Sequence, residues 1–224
     1  MKIFWESVKK YRVLWIFSII MLVLAVVSVD TSKSKQPLIY NQALDEVMAT
    51  VLGEEITLRE FALYVAHQEA EVEAQAYVYN ADNTNVYWGL HTNGKFIRIA
   101  ARDAAVDMAI HDELFYQLSK EMNIEFSEVD YEMLNNDVAD FWSDLTDDGK
   151  EKKLGITKED IYNAMYKIAC AEKCQYIYAQ MNGLDYEDYE FSSEEYLEFL
   201  RDYEYSVNKK IIERIDFGDV TLEH

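Results

Sequence analysis

Seventeen consecutive uncharged residues, Val13–Val29 (VLWIFSIIMLVLAVVSV), constrain this chain before any other feature is weighed. As a helix the run is about 26 Å long at ~1.5 Å per residue, which just reaches the thickness of a bilayer core. Lys2, Lys9, Lys10 and Arg12 precede it, and acidic sequence follows. The positive-inside bias then keeps residues 1–12 in the cytoplasm and delivers everything after the run to the other side of the membrane. A cleaved signal peptide, cut after Ser28, is the alternative. The run exceeds the ~7–15 apolar residues of a usual signal core, so an uncleaved single-pass anchor over 13–29 is the expectation. No cysteine stands near it, which argues against a lipid anchor.

Residues 30–45 (DTSKSKQPLIYNQALD) are polar and hold Pro37, the single proline of the chain, so they read as a tether. Beyond them, residues 46–224 have the pattern of one helix-rich domain, and their hydrophobic content is enough for a core. Val47-Met48-Ala49-Thr50-Val51-Leu52 favours a strand that Gly53 ends. Thr57-Leu58-Arg59-Glu60 then has the form of a capping box, opening a helix with Leu58, Phe61, Val65 and Val72 on one face as far as Tyr79. A turn-rich loop, 80–94, carries Tyr87 and Trp88. The spacing of Ile99, Val106, Ile110, Leu114 and Leu118 predicts a second helix from Lys95 to Met122, stopped at Asn123. Ser127 with Asp130 caps a third helix through Trp142, and Thr157 with Asp160 a fourth that ends at Gly183. Ser192 and Glu195 suggest one more box, before a short helix over Tyr196–Tyr203. The tail from Tyr205 to Leu222 alternates loosely, and a strand near Ile211–Phe217 paired with Val47–Leu52 would close the domain on its own start.

Charge excludes one class of partner. Residues 1–29 are net +3, and the whole chain is −21, so the remainder carries −24. Such a field repels phosphate backbones, and no nucleic acid is expected as a partner.

The order of these elements resembles the chaperone domain of SurA- and PrsA-type foldases. Val51-Leu52-Gly53-Glu54-Glu55-Ile56-Thr57 is similar to the strand–turn–helix start of that family, with Leu52 where asparagine is common. Lys120-Glu121-Met122-Asn123-Ile124 followed by Ser127 is similar to its second helix end, with Asn123 in place of the usual glycine. The likeness spans most of residues 46–218. It implies a mainly α, SurA-N- or trigger-factor-like fold with a small terminal β element, preceded by one transmembrane helix. It also implies a bacterial, extracytoplasmic protein that binds unfolded or newly exported polypeptides. Many members add a parvulin domain that isomerises X-Pro bonds. No segment here is left for one, so isomerase activity is not expected.

Motifs for other chemistry fail one by one. Cys170 and Cys174 lie four apart in a helical stripe with Tyr166, Ile177 and Met181, as buried structural thiols do. His67 and His111 have no second histidine at ligand spacing, so no metal is expected. Asp144–Gly149 opens like a calcium loop, but Gly155 stands where a bidentate glutamate is required. The acidic stretch 185–190 reads as a solvated loop, and no cofactor or catalytic residue is assigned. The aromatics remain. Tyr87, Trp88, Phe115, Tyr116, Phe141 and Trp142 are the client-binding candidates, because Tyr and Trp join an apolar body to a hydrogen-bonding tip. The sequence thus points to a membrane-anchored, chaperone-like binding protein. The alternative is a non-catalytic scaffold subunit of an envelope complex with the same fold.

Overall fold

The computed structural model describes residues 36–223, so the apolar run 13–29 and its expected transmembrane helix lie outside the described residues. Among the described residues no helix is long and apolar enough to cross a membrane. The fold from Leu38 onward is one unit, mainly helical with a small sheet.

Strand β1 (Val47–Val51) forms where the sequence places it, and it is the centre of the sheet, with Met48, Ala49 and Val51 buried. Strand β2 (Glu54–Thr57), which the sequence reading passed over as a turn, folds back antiparallel onto β1. The two-residue connection is Leu52 at φ 52° and Gly53 at φ 86°, the left-handed pair that a tight hairpin requires. Helix α1 (Leu58–Tyr79) follows at once and buries Leu58, Phe61, Val65 and Val72 as its spacing predicts.

The capping box at its start does not form: the Thr57 side chain caps nothing. Backbone does the work instead. The Leu58 N–H donates to the Glu46 carbonyl and the Arg59 N–H to that of Leu44, both at 2.9 Å. Glu60, whose side chain would have closed the box, pairs with Lys167 instead.

The loop 80–94 contains a short helix, α2 (Asn85–Trp88), and strand β3 (His91–Thr92), which pairs with β4 (Lys95–Phe96). Helix α3 (Ile97–Glu121) is therefore two residues later in its start than expected. It ends as predicted, because Asn123 takes φ 53°. Helix α4 (Glu128–Asp147) begins at the Ser127–Asp130 box, with both reciprocal hydrogen bonds present, and runs past Trp142. The calcium-like stretch is the end of this helix. Helix α5 (Lys150–Leu154) is a single extra turn, and α6 (Lys158–Asn182) starts at a complete Thr157–Asp160 box and stops at Gly183. The acidic stretch is a 3-10 turn, Tyr186–Tyr189, with Tyr189 buried. Helix α7 (Glu194–Leu200) is capped by Ser193 rather than Ser192, its hydroxyl accepting from the Tyr196 N–H.

The tail also departs from expectation. The strand that pairs with β1 is β5 (Tyr205–Val207), not Ile211–Phe217. Asn208 ends the ladder, and Lys209–Ile212 coils into helix α8. The reason is in the sequence of apolar positions: Ile211 and Ile212 are adjacent and both buried, which one face of a strand cannot achieve and a helical turn can.

Residues 38–45, read from sequence as the end of a tether, are packed. Tyr40 and Leu44 are buried, the Tyr40 hydroxyl donates to the Leu58 carbonyl at 2.7 Å, and the Leu38 N–H donates to Arg214. Helices α3 and α6 form the central pair, α1 crosses both, and α4 lies on α6.

Candidate functional site

Four helices leave a cleft of about 310 Å³ between them. Each contributes residues at helical spacing, so that one face of each helix lines it. Helix α1 supplies Leu63, Tyr64 and His67; α3 supplies Met108 and Asp112; α4 supplies Leu134, Asp137 and Phe141. Helix α6 supplies Met165, Ile168, Ala169 and Glu172. The apolar part of the wall includes two methionines, whose flexible thioethers suit a surface that must adapt to varied shapes.

The helices that form the walls are held by a partly buried ion group. Lys167 on α6 reaches Glu60 on α1 at 2.8 Å and Glu113 on α3 at 2.9 Å. Gln117 also donates to Glu113, whose carboxylate is almost wholly buried. Three helices are tied at one point, and leaving the buried Glu113 carboxylate unpaired there would be costly. Burial pushes the Glu60 carboxyl up, against the opposing pull of Lys167.

At one end of the cleft a polar chain runs through the core. The Tyr64 hydroxyl donates to Asp112 Oδ2 at 2.9 Å, and Asp112 Oδ1 lies 2.8 Å from His111 Nδ1. His111 Nε2 is 2.9 Å from the Tyr189 carbonyl oxygen, so it is the donor there. Burial, and then Asp112, push the Tyr64 hydroxyl well above its ordinary pKa, which keeps it a donor. The array resembles the orienting half of a catalytic triad, yet both imidazole nitrogens are engaged and no nucleophile adjoins them. Its effect is to fix Asp112 and the 3-10 turn against α3.

The acidic side of the cleft is different. Glu172 is exposed to water at its edge, yet desolvation by the surrounding wall pushes its carboxyl up. Repulsion from Asp112, Asp137 and Glu190 adds to this, and His111 acts against it. No lysine or arginine lines the cleft. Among the described residues no group of three His, Cys, Asp or Glu side chains is arranged to hold a metal ion.

The six aromatics expected to bind a client are not brought together. Trp88 and Phe115 are completely buried and have no surface to offer. Trp88 donates its indole N–H to Glu73 at 3.0 Å and lies under Gly218, where a Cβ would stand 2.7 Å from the ring. Phe115 is the hub of a ring cluster with Tyr178, Tyr189, Tyr196 and Phe199. Tyr87 is half-buried, donates to Gln75 and packs against Tyr79. Tyr116 lies beneath the ammonium groups of Lys120 and Lys167. Trp142, on α4, packs against the core, and the Thr146 hydroxyl one turn later donates to its carbonyl. Phe141 alone of the six lines the cleft.

The cleft residues missed from sequence are the aliphatic and methionine ones, together with Asp112, Asp137 and Glu172. Their signal was an apolar spacing of three and four on α4 and α6, which is also the spacing of ordinary core.

Cys170 and Cys174 are buried free thiols, as expected. Burial pushes Cys174 up to about 12, and Met122 packs on it at 3.9 Å. Met181, from the same sequence stripe, is instead exposed. No family model, curated protein or solved structure matches this chain.

Proposed function

We propose that this protein is a non-catalytic, chaperone-like binder of unfolded or newly exported polypeptide, held at a membrane through residues 13–29 with its domain on the outer side. The observation that carries the reading is the cleft between α1, α3, α4 and α6. It is open to solvent, walled in part by Leu63, Met108, Leu134, Phe141, Met165 and Ile168, and framed by helices that ion pairs tie together. A concave apolar surface with adaptable methionines suits segments of varied sequence better than one fixed small ligand. Prolyl isomerisation forms no part of the reading, because the resemblance is to the chaperone domain of those foldases and not to their parvulin domain. The resemblance of residues 46–218 to foldase chaperone domains points the same way.

The test uses the full chain in lipid nanodiscs and a chemically denatured client. Wild-type protein slows the rise in light scattering, and Ala169→Trp, which fills the cleft from α6, loses most of that protection while keeping its helical circular dichroism. A proline-limited refolding reaction runs at its uncatalysed rate throughout. Unchanged scattering at several-fold molar excess of wild-type protein would replace this reading with the scaffold one, and an accelerated refolding rate would reveal an active site.

A further inference from the structure

The cleft's apolar walls and its charge point to different halves of one occupant. Asp137 on α4 and Glu172 on α6 accept no hydrogen bond and form no ion pair among the described residues, whereas Asp112 is already engaged by Tyr64 and His111. Two unengaged carboxylates therefore stand beside an aliphatic wall that includes Met165, Ile168 and Phe141. No lysine or arginine lines the cleft, where His67 is the one basic side chain, so the acidic edge is complementary to a cationic ligand.

We propose that the cleft takes a polypeptide segment in which an apolar side chain adjoins a lysine or arginine, the apolar group entering the cleft and the cation meeting Asp137 and Glu172. The inference rests on the polypeptide-binding reading and adds the chemistry of the occupant. Lysine and arginine suit both halves, because their aliphatic stems can lie along the wall while the charged head stays at the mouth. A cation there also relieves the repulsion that Glu172 meets from Asp112, Asp137 and Glu190. An acidic segment meets the opposite field and is rejected.

The experiment measures fluorescence anisotropy of three labelled peptides of equal length, with the same apolar residue flanked by lysines, serines or glutamates. The full chain is held in nanodiscs of zwitterionic lipid, and binding to empty nanodiscs is subtracted. At low ionic strength the lysine peptide binds about five- to tenfold tighter than the serine peptide, as two partly exposed charge pairs allow. The double variant Asp137→Asn/Glu172→Gln brings the lysine peptide down to the serine level and leaves the serine peptide unchanged. Glu54→Gln/Glu55→Gln, on the β1–β2 hairpin outside the cleft, keeps the preference. Equal binding of all three peptides overturns the inference while leaving polypeptide binding intact. A preference that survives the cleft variant, or falls equally with the hairpin variant, assigns it to overall charge and overturns the inference too. Failure of every peptide to bind overturns both this inference and the reading beneath it.

Discussion

Leu52 shows how much one backbone angle can matter. It takes φ 52° in the β1–β2 turn, a left-handed conformation that a leucine Cβ resists and that asparagine visits readily. Leu52 is 38% exposed, so replacement gives up only part of the burial of a core leucine, and its N–H bond to the Glu204 carbonyl is a backbone contact that any residue keeps. Leu52→Asn is therefore expected to stabilise the domain by about 1 kcal/mol, read as a higher denaturant midpoint at unchanged slope. A lower midpoint would mean that the Leu52 side chain packs in a way its exposure hides. Glu69 is the opposite kind of residue, a wholly buried carboxylate retained because four donors surround it. The amides of Gly218, Val220 and Thr221 and the Thr221 hydroxyl all point at its two oxygens.

Those four bonds act at the scale of elements, since they fasten the C-terminal segment to α1. Gly218 is needed there twice over: its φ is 97°, and any side chain would strike the Trp88 ring. Lys153 holds the same segment from the other side, donating to the carbonyls of Thr221 and Leu222. Glu69→Ala removes the shared acceptor and opens a cavity, and the cost is about 3 kcal/mol. The tail of the variant should also yield to carboxypeptidase under conditions where the wild-type tail resists. Wild-type melting with a still-protected tail would show that β5 and α8 hold the segment without the clamp. Helix starts offer a useful contrast. Asp130 serves its own cap and also Lys173 at 2.6 Å, and the Lys173 ammonium beside it lowers its carboxyl to about 2. Thr57, with the same sequence signature, caps nothing because neighbouring carbonyls reached its helix first.

For the whole molecule, charge sets the response to pH. Glu60, Glu69, Asp107 and Glu172 all have carboxyls raised chiefly by desolvation. A raised folded-state pKa means that the folded protein holds its proton more tightly than the unfolded chain does. The stability from these groups is fully present below the unfolded value of about 4 and is lost as pH rises through the folded values. Self-repulsion among the −24 net charges of residues 30–224 acts in the same direction. Asp130 has the opposite sign: its contribution is present above the unfolded value and is lost as pH falls toward about 2. The domain is thus expected to melt at a higher temperature at pH 5 than at pH 8 in low salt, with the difference shrinking as salt is added. A higher melting temperature at pH 8 would show that the buried carboxylates gain more from their donors than burial costs them.

By itself the sequence determined the parts of this protein that depend on near neighbours along the chain. The extent of α1 to Tyr79, the boxes at Ser127 and Thr157 and the stops at Asn123 and Gly183 are all legible. Each rests on hydrogen bonds and backbone angles within a few residues. Tertiary structure decided everything that needed a distant partner. Whether Thr57 capped its helix depended on carbonyls of Leu44 and Glu46 arriving through the fold, and the partner of β1 became Tyr205–Val207 because adjacent isoleucines had to be buried together. Aromatic character pointed to Trp88 and Phe115 as binding residues, but large rings gain most from full burial, and the core took them. The cleft was illegible for the same physical reason. Its methionines and aliphatics have the spacing of a core face, and only the placement of four helices left those faces partly uncovered beside Asp137 and Glu172.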